Sequence, residues 1–188
     1  MVSRKDTKSI VSYHFIDSLL VLNFLPVPSP YSSPIGGGRT GGREVCDLGS
    51  GAGLPGIPLK IMRDDINLYL IESIQKKAAF LDLAVKELNL VNVKILAERA
   101  ESIKDIKCDI VLIRLLGKIK ELVPIALKLL KPAGKIIFYK SRTAQDEISE
   151  AKKVLAKFQR NTKIIEKVIP GTGITRRLVI LEKKNINK

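Results

Sequence analysis

A glycine-rich turn directly behind a short apolar run is the feature of this sequence that most restricts its fold. The stretch "VCDLGSGAGLPGIPL", residues 45–59, carries four glycines and two prolines. Glycines in a turn let the backbone bend sharply and let a ligand approach without a Cβ atom in the way. In an open α/β sheet, ligands bind outside the carboxyl ends of the strands, where this turn stands. The stretch therefore predicts a ligand-binding turn in an α/β domain.

Strands and helices alternate along the chain from residue 43 onward. The apolar runs that indicate seven strands are "EVCDL", "NLYLIE", "NVKILA", "CDIVLIR", "KIIFYK", "TKIIEKVI" and "RRLVILEKK". Because such alternation implies right-handed βαβ units, we expect an α/β fold with a mostly parallel seven-stranded sheet and helices on both faces. The last two strands flank the tight turn "PGTGIT" and are expected to pair antiparallel.

Four helical stretches are predicted between these strands. They are "GLPGIPLKIM", "SIQKKAAFLDLAVKELNL", "IKELVPIALKLLK" and "TAQDEISEAKKVLAKF". Serine and threonine side chains favour the position before a helix, so we expect Ser73 to cap the second helix and Thr143 to cap the fourth. Pro132 and Gly134 follow the third helix and are expected to end it.

Composition divides the chain into three parts. Residues 1–25 are predicted to form an N-terminal helical segment, with an amphipathic helix over 9–25 whose apolar face is Ile10, Phe15, Leu19, Leu22 and Leu25. Residues 26–42 read "PVPSPYSSPIGGGRTGG" and are expected to be a linker, because a stretch so rich in Pro, Ser and Gly holds neither a helix nor a central strand. Residues 43–188 form the α/β domain.

The charge balance points to a polyanionic partner. Lys and Arg number 33 and Asp and Glu number 19, which gives a formal net charge of +14. Such a field favours nucleic acid or an anionic membrane surface, and drift in a lysine-rich proteome is the alternative explanation. With 4 Tyr, 5 Phe and no Trp, an extended base-stacking platform is not expected, so phosphate contacts should dominate nucleic-acid binding.

The apolar runs and the two cysteines indicate where the protein is located and whether it contains a disulfide. There is no run of about 18 apolar residues, and the start "MVSRKDTKSI" lacks the apolar region of a secretory signal, so we expect a cytoplasmic protein without a transmembrane helix. Cys46 and Cys108 each lie in an apolar run without C-x-x-C spacing. We expect both to be small buried side chains, with neither a disulfide nor a zinc site.

Two ligand classes compete for the glycine turn. Residues 51–56 fit the G-x-G-x-x-G pattern of dinucleotide-binding proteins. That register makes the first strand run past Asp47, which would bury a charge within the strand ladder at a cost. The register D-x-G-x-G-x-G instead uses Asp47, Gly49, Gly51 and Gly53, with the acid at the strand end facing a cationic or hydroxylic ligand. S-adenosylmethionine suits this second register, because it carries a sulfonium and an ammonium and no phosphate.

Further candidates follow the second and third strands. Glu72 ends the second strand, where an acid reaches the ribose hydroxyls of a bound nucleoside, although a solvated strand-end charge is the alternative. The third strand ends at "AERAES", so that Arg99, Ala100 and Glu101 are expected to rim the adenine side of the pocket. Acids at consecutive strand ends favour a nucleoside over a pyrophosphate.

Basic residues stand at the ends of later strands. Arg114 closes the apolar fourth strand, and it either forms an ion pair with Asp47 or another nearby acid or holds the cofactor or substrate. Lys140 ends the fifth strand, and Arg176 and Arg177 open the last one. Together these cations predict that a polyanion approaches the carboxyl rim of the sheet.

The stretches "DLGSGAGLPGIPL", "HFIDSL" and "ERAES", with Arg114 at the end of its strand, resemble the bacterial RsmG (GidB) ribosomal RNA small-subunit methyltransferases. The Leu-Pro-Gly-Ile-Pro continuation is the distinctive part, and the resemblance runs from about His14 to Glu182. It implies a class I methyltransferase (Rossmann-like) fold and methyl transfer from S-adenosylmethionine to N7 of one guanine in 16S ribosomal RNA. The implied partner is 16S RNA or the 30S subunit, with no metal and no membrane, and the chain is expected to be a monomer.

The resemblance also assigns roles to residues. Positions expected to bind the cofactor are Gly49, Leu54, Glu72, Ala100, Glu101 and Arg114, beside Asp47, Gly51 and Gly53 of the glycine register. Positions expected to face RNA are Arg99, Lys140, Arg176 and Arg177. His14 and Asp17 match the "HF-DS" signature, for which we expect a structural role in a helix packed beside the cofactor site.

No acid–base residue is assigned, because guanine N7 attacks through a free lone pair and has no proton to lose. Two alternatives from other classes remain at this point. The chain could methylate a small molecule or a protein, or it could bind RNA without turnover. An NAD-dependent oxidoreductase is a further alternative that calorimetry with both ligands separates.

Overall fold

A seven-stranded sheet forms the centre of the protein in a computed structural model that describes residues 10–25, 42–141, 143–158 and 162–182. The strands are β1 (Arg43–Leu48), β2 (Ile66–Ile71), β3 (Val93–Leu96), β4 (Cys108–Arg114), β5 (Leu130–Lys140), β6 (Thr162–Val168) and β7 (Thr175–Glu182). Their order across the sheet is β3-β2-β1-β4-β5-β7-β6. All seven predicted runs are strands.

Strand direction brings the loops of the site together. β1 pairs parallel with β2 and β4, β2 with β3, and β4 with β5. β7 runs antiparallel to both β5 and β6, which confirms the expected reversal near the C-terminus. After β3 the chain therefore crosses to the other half of the sheet, where β4 lies next to β1. The loops after β1 to β4 meet at one edge.

Helices cover both faces of the sheet, as predicted. They are α1 (Gly56–Met62), α2 (Gln75–Glu87), α3 (Ile119–Leu129), α4 (Ala144–Glu150) and α5 (Lys152–Leu155). Successive strand residues point to opposite faces, so Val45 packs with α1 and α2 while Cys46 packs with α3 to α5. Cys46 and Cys108 are fully buried, in agreement with the prediction that both are core side chains.

Two predicted helix boundaries are wrong, and a predicted cap is correct in position only. Ser73 does not cap α2, because Ile74 occupies that position and its N–H donates to the Glu72 carboxylate at 2.9 Å. Thr143 occupies the cap position of α4, as predicted, but its side chain makes no hydrogen bond to the helix backbone. α3 ends at Leu129 and β5 begins at Leu130, so the helix ends before the predicted stop at Pro132 and Gly134. A register shift between β4 and β5 accommodates residues 132–134 within the strand.

The N-terminal helical segment, residues 10–25, is helical but irregular. A π-helical stretch Ile10–Ile16 continues as the α-helical turn Asp17–Leu19, and a 3-10 turn Leu22–Phe24 follows. Among residues 13–25, the buried side chains are Asp17, Ser18, Val21 and Leu25. Of the predicted apolar face, Leu19, Leu22 and Leu25 pack against the core, whereas Phe15 is exposed. The buried face is partly polar because it bonds to the strands beneath it.

Other predictions for this end of the chain lie outside the described residues. They concern residues 1–9 and all of the expected linker except Gly42. Among the helices that the structure describes, none has the length and apolar character needed to cross a membrane.

A buried hydrogen bond fastens the N-terminal helical segment to the sheet. Tyr139 of β5, which is 1% exposed, donates its hydroxyl to the carbonyl oxygen of Ser18 at 2.7 Å. We predict that Tyr139→Phe lowers the free energy of unfolding by about 1 kcal/mol, because a buried acceptor loses its donor. Chemical denaturation measures this loss, with Tyr13→Phe at an exposed position of the same segment as the control. Equal stability of the two variants would contradict the assignment.

Candidate functional site

A cavity of about 550 Å³ opens at the carboxyl edge of the sheet, between the loops that follow β1, β2, β3 and β4. Its size falls within the usual range for small-molecule sites. Its wall comprises His14, residues 48–52, Leu54, residues 71–74, Lys77, residues 98–101, residues 114–116, Leu122 and Ile125. The position is the one that strand order predicts for a ligand in an open α/β sheet.

Most of the residues predicted to bind the cofactor lie on this wall. They are Gly49, Gly51, Leu54, Glu72, Ala100, Glu101 and Arg114. Two others, Asp47 and Gly53, are not part of the wall. The sequence motifs therefore locate the cavity correctly, and the two exceptions have a structural explanation.

The glycine turn is hydrogen-bonded to the end of β2. The N–H groups of Gly49 and Ser50 both donate to the Ile71 carbonyl oxygen, at 2.9 and 3.0 Å. Gly49 has a φ of +76°, and a Cβ atom there would lie 2.6 Å from the Leu116 side chain. A side chain at this position would be strained and would also collide with the opposite wall of the cavity, so glycine is required there.

Glu72 joins the loops that follow β1 and β2. Its Oε2 accepts the Gly51 N–H at 3.0 Å and its Oε1 accepts the Ile74 N–H at 2.9 Å. The residue is only 6% exposed, yet it forms part of the cavity wall. Because a carboxylate offers about four acceptor positions, two bonds to the backbone leave capacity for hydroxyl donors of a ligand.

Asp47 does not face the ligand cavity, so that prediction is wrong. β1 extends one residue past it, and Asp47 lies 1% exposed in the ladder between Leu70 and Leu112. Its Oδ2 accepts the N–H of Gly56, at the start of α1, at 2.9 Å. Burial raises the pKa of Asp47 to about 7. The burial of Asp47 within the strand ladder was expected to exclude the G-x-G-x-x-G register, but the structure contains it.

Gly53 also lies outside the cavity wall and packs against α1. Its φ is +83°, and a Cβ atom there would collide with Ile57 of α1. Its N–H donates to the Ser50 carbonyl oxygen at 2.8 Å and closes the turn. The third glycine of the pattern is therefore needed for close packing between turn and helix.

Asp17 binds two arginines at the edge of the cavity. Its carboxylate is fully buried, and Oδ2 accepts Arg114 Nε at 3.1 Å. Arg176 donates through Nε to Oδ1 at 2.8 Å and through Nη2 to Oδ2 at 3.0 Å. The ion-pair partner of Arg114 is thus Asp17 and not Asp47, so the expectation of a nearby acid is confirmed with a different residue.

His14 completes this cluster. Its Nδ1 lies 2.9 Å from Arg114 Nη2, and the residue is part of the cavity wall. Burial lowers the pKa of His14, and the Arg114 and Arg176 cations lower it further against the opposite effect of Asp17. The ring is therefore neutral near pH 7 and accepts a hydrogen bond from the guanidinium, which has no acceptor of its own.

A family model for rRNA small subunit methyltransferase G (GidB) matches residues 1–178. The chain belongs to this family. Relatives agree with the match: a ribosomal RNA small subunit methyltransferase G from Sorangium cellulosum is 34% identical over 97% of this chain and 72% of its own length. One of the same name from Neisseria meningitidis is 30% identical over 98% of this chain and 80% of its own length.

Solved methyltransferases share the fold of this family member. A methyltransferase from Pyrococcus furiosus superposes with a TM-score of 0.61 at 17% identity, over 77% of this chain and 76% of the other. TYW2 from M. jannaschii, solved in complex with AdoMet, gives a TM-score of 0.60 at 21% identity, over 77% and 70%. The expected class I methyltransferase fold is confirmed.

The residues predicted to face RNA are mostly engaged within the protein. Arg176 is bonded to Asp17, and Lys140 is bonded to Glu147 Oε2 at 2.7 Å. Arg177 bonds Glu166 at 2.5 Å. Arg99 is exposed on the cavity wall. Contact of any of the four with RNA stays a prediction, and Arg99 is the one best placed for it.

Several residues of the cavity wall were not predicted from the sequence. Leu115 is 82% exposed with a φ of +54°, and Leu116 is 44% exposed. Lys77 of α2 also lines the cavity. Both leucines lie in the loop directly after β4, and loops after parallel strands form the site in such folds, but the residues predicted from the sequence end at Arg114. Within the described part of the chain, no cluster of His, Cys, Asp and Glu could hold a metal ion.

Asp47 makes the stability of the fold depend on pH. Its folded-state pKa of about 7 lies above the ordinary value of 3.8, so the folded chain binds a proton that the unfolded chain releases between those values. We predict that its contribution to stability falls as pH rises through this window, by up to about 1.4 kcal/mol per pH unit. Asp47→Asn should remove that slope.

Denaturation at a series of pH values from 4 to 8 measures the effect of Asp47. The matched control is Asp105→Asn, which changes an exposed aspartate and should keep the wild-type slope. If Asp47→Asn shows the same pH dependence as this control, the protonation of Asp47 does not contribute as described.

Proposed function

We propose that this chain transfers a methyl group from S-adenosylmethionine to N7 of a specific guanine in 16S ribosomal RNA, in the cytoplasm. Membership of the rRNA small subunit methyltransferase G family supports the reaction and the substrate class. The observation that carries the cofactor assignment is the Glu72 carboxylate, which lies on the cavity wall and is bonded to Gly51 and Ile74.

The residues on the wall fit a nucleoside that bears no phosphate. A carboxylate accepts hydrogen bonds from a pair of ribose hydroxyls and repels an anionic pyrophosphate. Glu101, a second acid, lies on the same wall beside the buried Ala100, and Leu54 and Leu116 add apolar surface. When it is bound, S-adenosylmethionine supplies the methyl group from its sulfonium, because the neutral thioether that remains is a good leaving group.

The same geometry argues against a dinucleotide. Dinucleotide-binding turns offer free backbone N–H groups at a helix N-terminus to the pyrophosphate. Here the Gly51 N–H is bonded to Glu72, and the Gly56 N–H at the start of α1 is bonded to Asp47. Two carboxylates therefore occupy the donors that a pyrophosphate would need.

The proposed reaction requires positioning rather than proton transfer. Guanine N7 carries a lone pair and no hydrogen, so no side chain has to act as a base. The protein's contribution is then to hold the reacting atoms in line and to provide a fixed electrostatic environment. Arg114 is held in the wall by Asp17 and His14, which suits a group whose task is orientation.

The RNA part of the proposal rests on charge and on the open rim of the cavity. The net charge of +14 favours a polyanion, and the exposed Arg99 and Lys77 lie on the wall. Because phosphate contacts release counterions, RNA binding should weaken steeply as the salt concentration rises. A methyltransferase of small molecules would show little dependence on salt.

Methyl transfer from labelled cofactor tests the proposed reaction. The purified chain is incubated with 16S RNA and, in parallel, with 30S subunits, and the labelled base is mapped. We expect label at N7 of one guanine in at least one of the two substrates. Label in protein or small molecules only would favour another methyltransferase activity, and RNA binding without any transfer would favour a non-catalytic relative.

Glu72→Gln tests the cofactor assignment directly. The amide keeps the shape of the side chain but loses the charge and one acceptor, so we predict at least about a tenfold rise in the Kd for S-adenosylmethionine. Calorimetry measures binding, with Glu87→Gln at an exposed position at the end of α2 as the control. An unchanged Kd in Glu72→Gln, or tighter binding of NAD than of S-adenosylmethionine by the wild type, would overturn the assignment.

A further inference from the structure

One motif of the sequence has no part in the proposed reaction, although it stands beside the cavity. The "HF-DS" signature places His14, Asp17 and Ser18 on the N-terminal helical segment, residues 10–25. Asp17 and Ser18 are both fully buried, and His14 lines the cavity. The His14 ring and the Asp17 carboxylate both bond to Arg114. The carboxylate also bonds to Arg176, and the Ser18 carbonyl oxygen accepts from Tyr139.

Stability alone is a weak reason for the polar part of this contact. Removing charges from water costs several kcal/mol per ion, and a well-packed apolar cluster often stabilises a fold as much as a buried ion pair does. The same segment already buries Val21 and Leu25 against the sheet. A buried carboxylate shared by two arginines therefore points to a requirement for a defined side-chain geometry.

The geometry defines the position of Arg114. Asp17 accepts Nε at 3.1 Å and His14 accepts from Nη2 at 2.9 Å, so two points of a planar guanidinium are held from the N-terminal helical segment. A planar fork that is held at two points has one orientation. Arg114 is 7% exposed and belongs to the cavity wall, and with five N–H donors it retains donors for a ligand.

Arg176 holds the carboxylate in turn. It approaches from β7 and donates to both oxygens of Asp17, at 2.8 and 3.0 Å. Arg176 is not part of the cavity wall, so its contact with the cluster goes through Asp17. Arg176 therefore fixes the Asp17 carboxylate, and the carboxylate fixes Arg114.

We propose that Asp17 is a positioning residue for the methyl-transfer site: it sets the orientation of Arg114 in the cavity wall, so that the site is complete only with the N-terminal helical segment docked on the sheet. This inference rests on the proposed function, because it needs Arg114 to contact cofactor or substrate. It assigns to the segment a role in ligand binding that goes beyond covering apolar surface.

Two variants separate positioning from docking. Asp17→Asn removes the charge that holds Arg114, and Tyr139→Phe loosens the same segment without touching Arg114. We expect Asp17→Asn to raise the Kd for S-adenosylmethionine, or the KM for RNA, at least about tenfold at a temperature at which the variant is folded. Tyr139→Phe should change neither by more than about twofold, although it lowers the free energy of unfolding. Equal effects of both variants on binding would overturn the proposal.

A double-mutant cycle tests whether Asp17 acts through Arg114. We expect Asp17→Asn to weaken ligand binding in the wild-type background and to have no further effect in the Arg114→Ala background. Additive effects would mean that Asp17 acts by another route and would contradict the inference. Calorimetry and initial rates on RNA provide the readouts, and denaturation shows that each variant is folded.

A second route is available where Asp17→Asn fails to fold. His14 is only partly buried, and His14→Gln removes the ring acceptor of Arg114 Nη2, so we expect weaker ligand binding in a variant that remains folded. Unchanged binding in His14→Gln would contradict the proposal. If the wild type neither binds S-adenosylmethionine nor transfers a methyl group, the proposed function fails; if it does both and Asp17→Asn matches it, only the role of Asp17 fails.

Discussion

The cavity of this protein depends on one carboxylate that bonds the backbone of two loops. Glu72 accepts N–H groups from Gly51 after β1 and from Ile74 after β2, so the glycine turn and the start of α2 are held together. The same side chain gives the wall its chemical character, because a buried carboxylate favours hydroxyl groups and disfavours phosphates. One interaction therefore shapes the site, and we propose that it also selects the ligand class.

The second requirement of the site is an arginine held from the N-terminal helical segment. Asp17 lies 97 residues from Arg114 in sequence, yet the two side chains meet at the carboxyl end of β4. β4 sits at the centre of the sheet next to β1, while Arg176 reaches the same carboxylate from β7. The cluster thus ties the segment to β4 and β7, two strands of the same half of the sheet, beside the cavity that the glycine turn forms.

Local patterns predicted the strands, the reversed β7 and most of the wall, because apolar runs and glycine spacing reflect short-range geometry. They failed where a side chain's partner is distant in sequence. Asp47 was expected to face the ligand, but β1 continues past it and its carboxylate bonds the start of α1. An ion pair of Arg114 with Asp47 or another nearby acid was expected, and the partner is Asp17, 97 residues away in sequence. Leu115 was missed because the candidate residues ended with the strand at Arg114, whereas the cavity wall continues into the loop after β4.

A crystal structure of the chain with S-adenosylhomocysteine tests the central claim most directly. The account predicts that the ligand occupies the cavity between the glycine turn and the loop after β4, with its ribose hydroxyls within hydrogen-bond distance of Glu72 and with Arg114 still bonded to Asp17. A ligand bound elsewhere, or one whose ribose points away from Glu72, would contradict the account.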